Sequence, residues 1–272
     1  MNSPTKTVLI TGTSSGIGKA TANYFAKAGW NVAATLRNLE NEKELLKFAD
    51  IKLYALDVTS NESIEKAICA ILLDFKVIDV VVNNAGFGTD GVFEAMSDGI
   101  IQNQFDTNVF GLMRVTRAII PHMRGNRKGT IVQVSSMGGR ITFPLFSIYH
   151  STKFAVEGFT ESLQYELKPF NIEVKLIEPG TIKTEFYGKG RVSIAGSNLP
   201  EYKDFLEKCE KVSQDPAKNG VTPDEVAKTI FAAVSKKRLR FPSGNPAPML
   251  LALRKLLPEK WFFGLIRLSY KI

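Results

Sequence analysis

"TVLITGTSSGIG", residues 7–18, decides the fold. Apolar and β-branched residues run straight into a glycine-rich turn, and the turn opens a stretch with helical periodicity. Gly12 permits a tight turn, Gly16 lets backbone approach a pyrophosphate, and Gly18 allows close packing of helix on strand. Ser14, Ser15 and Ile17 fill the loop, and the helix start beyond it offers unpaired N–H groups to phosphate oxygens. A glycine triplet alone reads equally well as an ordinary turn. Its position between strand and helix is what a dinucleotide-binding loop requires.

The same alternation continues outward. Strands are predicted at 6–11, 31–35, 51–57, 78–83, 129–135 and 171–178, with a short seventh at 237–241. Several lack a polar face, as in parallel sheets covered on both sides. Helical patterns fill 17–28, 61–75, 98–124 and 149–168; in the last, Phe159, Leu163 and Leu167 recur every four residues, and Pro169 blocks continuation. This order predicts one doubly wound α/β domain over residues 1–245.

Three further motifs, "NNAG" (83–86), "YHSTK" (149–153) and "PGTIKT" (179–184), join the glycine loop, spaced G-x3-G-x-G. Together, over residues 5–240, they resemble the short-chain dehydrogenase/reductase family. The resemblance implies a Rossmann-like seven-stranded parallel sheet in the order 3-2-1-4-5-6-7. It implies that Asp57 and Val58 bind adenine, that Asn84, Ala85 and Gly86 line a ribose, and that Pro179, Gly180, Ile182 and Thr184 hold a nicotinamide. Asp57 also reads as a helix N-cap candidate beside Thr59 and Ser60.

The end of the second strand bears on the coenzyme. An acid there would accept bonds from ribose hydroxyls, but the position is Leu36, followed by Arg37. A guanidinium can pair with a 2′-phosphate, so NADP(H) is expected over NAD(H); the alternative for Arg37 is a solvated surface arginine.

Tyr149 and Lys153 are four residues apart, hence on one helix face. An ammonium about 5–6 Å from a phenolate is worth about 3 kcal/mol at an effective dielectric near 20, and it draws the phenol toward acidity. Tyr149 is therefore the expected acid/base. The resemblance gives Lys153 a second role, on the nicotinamide ribose. It makes Ser136, thirteen residues before Tyr149, the donor to the substrate oxygen, with Ser135 as the neighbouring competitor. It makes Asn108 the holder of a relay water, although alone it reads as a helix irregularity. His150 and His122 are not needed for catalysis; His122 precedes a helix end, where its ring would meet carbonyls. No metal-ligand spacing occurs.

These residues predict hydride transfer between NADP(H) and a carbonyl or alcohol. The alternative is a catalytically silent NADP(H)-binding sensor of the same fold. A lid is expected at about 185–220, with Phe186 and Tyr187 facing a site walled by Met137 and Phe146. That lining suggests an apolar substrate. "HMR" and "IEPGTIKTEF" resemble the branch containing 17β-hydroxysteroid and retinol dehydrogenases, which implies a steroid, retinoid or similar lipid. A homodimer or homotetramer, assembled through the helices after strands 4 and 5, is a further implication of the family.

The chain has 272 residues, 44% hydrophobic and 23% charged, with a net charge of +8. Residues 236–272 hold nine basic residues against one acid, Glu259, so the excess belongs to the tail. Residues 246–272 form a basic, apolar extension expected as two short helices broken at Pro258 and packed on the same domain. Packing as a lid or subunit contact is the favoured reading of it, peripheral contact with an anionic membrane the other. Nucleic-acid binding fits poorly, since no recognised module is present. Cys69 and Cys209 are too few for a disulfide scaffold, and with no secretory signal or long apolar run a cytoplasmic protein is expected.

Overall fold

A computed structural model describes residues 5–40, 42–183, 191–194 and 199–272. Strand β1 (Thr7–Thr11) pairs in parallel with β2 (Asn31–Leu36) on one side and with β4 (Val80–Asn83) on the other. β3 (Ile51–Ala55) extends the sheet beyond β2, and β6 (Gly129–Val134), β7 (Ile172–Pro179) and β9 (Arg240–Ser243) extend it beyond β4. The order β3-β2-β1-β4-β6-β7-β9 is the expected one once two strands outside this sheet are set aside. Those two, β5 (Gly88–Gly91) and β8 (Arg191–Ile194), form a separate parallel pair that sequence patterning missed.

Alternation along β1 divides the core. Val8 and Ile10 pack with Phe25 of α1 (Gly16–Lys27) and with Val226 and Ile230 of α7 (Pro223–Val234). Leu9 faces the other layer, built by Ile64 and Ile68 of α2 (Asn61–Phe75), Val115 and Ile119 of α4 (Leu112–Gly125) and Leu163 of α5 (Ser147–Leu167). All five residues of β1 are buried, which explains why it carries no polar face. The result is a single α/β domain with helices on both sides of the sheet.

Two boundaries matter for the site. The stretch expected as one helix over 98–124 is α3 (Asp98–Phe105), a π-helical turn over Asp106–Gly111, then α4. β3 stops at Ala55, two residues early; Leu56 N–H still donates to Leu36 O of β2 at 3.0 Å, and Asp57 follows at the carboxyl edge of the sheet. The C-terminal residues form α8 (Ala247–Leu256) and α9 (Glu259–Tyr270), separated at Pro258; α6 (Lys203–Asn219) precedes α7. Phe262 and Leu251 are buried with Ile141, so the extension lies against the segment after β6.

Candidate active site

A cavity of about 910 Å³ opens along the carboxyl ends of the strands, where an open α/β sheet reverses its strand order. The glycine loop forms one end. Gly12 (φ +71°) and Gly16 (φ +55°) take left-handed backbone conformations. A Cβ on Gly12 would lie 2.9 Å from Ala85 Cα, so only glycine lets the loop close against the segment after β4. Asn84 locks that closure: its Nδ2 donates to Thr11 O and Gly12 O, each at 3.0 Å. Thr13 holds the other flank by donating to Thr35 O from both its N–H and its hydroxyl.

The first turn of α1 carries no acid, and its N-cap Ser15 makes no side-chain cap bond. Its leading N–H groups therefore remain for an anion. Gly12, Ser14, Ser15, Gly16 and Ile17 line the cavity, as do Leu36, Arg37, Asp57, Val58, Asn84, Ala85 and Gly86. Gly18 does not; it is buried, and a Cβ there would stand 2.2 Å from Gly12 O. Its contribution is to loop packing.

Asp57 accepts from the N–H and hydroxyl of Thr59, both on Oδ1. Burial would raise its pKa, but these two bonds and nearby Arg37 outweigh it and hold the carboxyl below its usual range. The helix cap beside it is Ser60, which accepts from Ser63 N–H, so Asp57 is not the N-cap. Arg37 is exposed at the cavity rim.

At the other end, Ser136, Met137, Phe146, Tyr149 and Lys153 come together with Pro179, Gly180 and Ile182. Ser136 Oγ accepts from Gly138 N–H at 3.0 Å, which orients the hydroxyl and leaves its proton to donate. Ser135 also borders the cavity, but its buried hydroxyl lies toward Glu157. Tyr149 stands in the first turn of α5, and Lys153 Nζ lies 5.9 Å from its ring centroid. The ammonium donates to Val134 O at 2.9 Å. Burial lowers its pKa to about 8 against the opposing pull of Glu157, so it carries its proton at pH 7.

Asn108 does not line the cavity. Buried in the π turn, it accepts from Phe87 N–H at 3.0 Å and donates to Phe87 O at 2.8 Å and Thr152 Oγ1 at 3.3 Å. Its amide is spent on holding Phe87, a cavity residue the sequence did not single out. Thr184, Phe186 and Tyr187 lie outside the described residues.

His150 also proves to be a cavity residue. Its Nε2 accepts from Phe143 N–H at 2.9 Å and its Nδ1 lies 2.8 Å from Gly138 O, so the neutral Nδ1–H tautomer ties both ends of the 138–143 segment. Burial lowers its pKa to about 4. Phe143 itself lines the cavity, and it lies in the same "ITFPLF" stretch that drew attention to Phe146. Val192 reaches the cavity from β8 and had no local signal. His122, expected to meet carbonyls, instead accepts from Ile78 N–H at 3.2 Å, because a neutral ring nitrogen satisfies the donor that opens the segment before β4. Among the described residues, no group of three His, Cys, Asp or Glu could hold a metal.

Comparison with known proteins agrees with this geometry. The short chain dehydrogenase family profile matches residues 6–192. A 3-ketodihydrosphingosine reductase of Bacteroides thetaiotaomicron is 32% identical over 97% of this chain and 98% of its own. Retinol dehydrogenase 8 of Homo sapiens is 40% identical over 86% of this chain and 79% of its own. The solved structure of ElxO with NADP bound superposes with a TM-score of 0.72 at 30% identity, covering 88% of this chain and 97% of that one. The chain is thus an oxidoreductase of the short-chain dehydrogenase/reductase family, and the matched region, residues 6–192, takes in the glycine loop, Tyr149 and Lys153.

Proposed function

We propose that the protein is an NADP(H)-dependent oxidoreductase interconverting a carbonyl and a primary or secondary alcohol on an apolar, lipid-like molecule. The observation that carries this reading is the shared wall of Ser136, Tyr149 and Lys153 at the end of a cavity whose other end is an uncapped helix N-terminus. The dinucleotide, when bound, supplies or accepts the hydride. The chain's residues do the rest. The N–H groups of α1 take the pyrophosphate, and Asp57, Val58, Asn84, Ala85 and Gly86 take the adenosine half. Pro179, Gly180, Ile182 and Thr184 take the nicotinamide half. Ser136 donates to the substrate oxygen, Tyr149 gives or takes its proton, and Lys153 holds positive charge beside the phenol. Asn108, its amide already used, acts by holding Phe87 in the cavity wall.

Arg37 at the adenosine rim, with no acid at the end of β2, favours a 2′-phosphate, and the NADP held by ElxO supports the same preference. Met137, Phe143 and Phe146 favour an apolar substrate. The relatives named for retinol and for 3-ketodihydrosphingosine point the same way. Phe154 and Tyr165 of α5, and Phe110 just before α4, are exposed, which supports a homo-oligomer through those helices. Two cysteines in 272 residues suit a reducing cytosol, and residues 246–272 suit peripheral contact with a membrane.

An NADPH-oxidation screen with all-trans-retinal, a 3-keto sphingoid base, ketosteroids and short ketones, run in parallel with NADH, tests this. Turnover of a long-chain carbonyl with NADPH above NADH is expected. Turnover confined to short polar ketones would overturn the substrate class, and a preference for NADH would overturn the role of Arg37.

A further inference from the structure

Helix α9 presents three distinct faces. Phe262 is buried at 1% exposure and Ile266 packs beside it, against the cluster containing Ile141 and Leu251. On another face Trp261 (67% exposed), Leu265 (47%) and Leu268 (74%) stand at spacings of four and three, and Ile272 (44%) lies two residues beyond the helix end. That spacing puts Trp261, Leu265 and Leu268 in one row along the helix. Lys260 and Arg267, seven apart, form a parallel row, and Lys271 follows at the helix end in a left-handed backbone conformation; all three are exposed. α8 repeats the apolar feature, with exposed Met249 and Leu256 seven residues apart.

The extension's single acid does not neutralise this surface. Glu259 pairs with Arg254 at 3.3 Å, and Arg254 lies over the rings of Phe262 and Phe263. Among the described residues, Lys260, Arg267 and Lys271 form no ion pair. An apolar row this exposed calls for a partner, and the sign of the flanking row selects it. A second copy of the chain would bring the same uncompensated cations to the contact. An anionic bilayer brings the opposite charge along with an apolar phase for the tryptophan, leucines and isoleucine. At twelve residues α9 is about 18 Å long, too short to cross a bilayer and suited to lying in its surface.

The buried face of α9 connects this surface to the catalytic cleft. Met137 and Phe143 line the cavity and also pack in the cluster that contains Phe262. We propose that the outer face of α9, the row Trp261, Leu265 and Leu268 with Ile272 just past the helix end, flanked by Lys260, Arg267 and Lys271, docks the protein on an anionic lipid surface and sets the cleft one layer of side chains from it. This deepens the reading of the site as acting on a lipid-like substrate and rests on it for its purpose, though the docking itself is measured independently.

The test is co-sedimentation of the full chain with vesicles of phosphatidylcholine alone and of phosphatidylcholine with about a third phosphatidylserine, at low and high salt. Binding to the anionic vesicles only, weakened about tenfold or more by high salt, is expected. Leu265→Ser with Leu268→Ser, and separately Lys260→Glu with Arg267→Glu, should each abolish it. Turnover of a soluble short-chain carbonyl should stay unchanged in both variants, which separates loss of docking from loss of fold. No binding to anionic vesicles, or binding that survives both pairs of substitutions, overturns the proposal. So does a shift of the wild-type oligomer to monomers in the leucine variant, since the face would then be a subunit contact. If docking fails while turnover of lipid carbonyls persists, the oxidoreductase reading stands and this inference alone is lost.

Discussion

At the scale of single residues the site was legible where chemistry demands one residue type at one place. Gly12, Gly16 and Gly18 were readable because strand and helix flank them, and the structure gives each its cause in a φ angle or a close approach. A methyl group at position 18 would collide with Gly12 O at 2.2 Å and Asn84 Nδ2 at 2.5 Å, both fixed by the loop's own hydrogen bonds. Gly18→Ala should cost about 1–3 kcal/mol of stability in urea titrations and weaken NADPH binding followed by fluorescence. Arg37 has the opposite character, exposed and, among the described residues, in no hydrogen bond or ion pair, its field on Asp57 aside. Arg37→Ala should leave the melting temperature unchanged and raise the KM for NADPH about tenfold to a hundredfold, with little change for NADH. His150 shows where residue-level reading stops. Its sequence position says nothing about the two backbone groups it ties together across the 138–143 segment.

At the scale of elements, the π turn explains why a continuous helix over 98–124 was the natural reading and yet incomplete. Periodicity does not register one extra residue in a turn, whereas the bonds of Asn108 to Phe87 and Thr152 require it. Asn108→Ala would leave Phe87 N–H and O without those partners, costing about 1–3 kcal/mol in urea unfolding, and should lower turnover by displacing Phe87 from the cavity wall. Between β7, α5 and β9 lies a second feature that patterning hides. Glu178 is fully buried, with Arg140 NH1 at 3.5 Å and Arg240 Nε at 3.4 Å, and Glu157 shares Arg240 at 3.1 Å. Burial first, then the neighbouring Glu157, lifts the pKa of Glu178 to about 7 despite both arginines. A carboxyl whose folded-state pKa exceeds its unfolded value of 4.5 favours folding when protonated. Its stabilisation is complete below 4.5 and is lost as pH rises to about 7, a change of about 3 kcal/mol. His150 works in the opposite sense, losing stability as pH falls from 6.5 toward 4. The two nearly cancel between pH 5 and pH 6.5, so the wild-type melting temperature should be nearly level there, and Glu178→Gln should turn that level stretch into a rise with pH. An equal slope in wild type and variant would contradict the assignment.

At the scale of the whole molecule, the sheet order was readable because each crossover is a strand followed by a helix, with buried faces that show in composition. The pair β5–β8 was not readable. "GTDG" has no strand propensity and is extended only because Ser193 and Ile194 meet it from a hundred residues away: Ser193 donates to Asp90 at 2.8 Å, and Gly91 leaves room for Ile194 O. The C-terminal extension was half legible. Its charge and apolar content stand in the sequence, but which rows face the core and which face solvent depended on where Phe262 found a cavity wall to complete.

The account rests on proton transfer by Tyr149 beside the charged Lys153. The most direct measurement is single-turnover NADPH oxidation by Tyr149→Phe at saturating coenzyme, with coenzyme affinity determined by fluorescence on the same sample. A general acid contributes about 10²- to 10⁴-fold, so the variant should bind NADPH as wild type does and lose turnover by that factor. Unchanged turnover with NADPH still bound would contradict the assignment of Tyr149 and, with it, the chemistry drawn from this cleft.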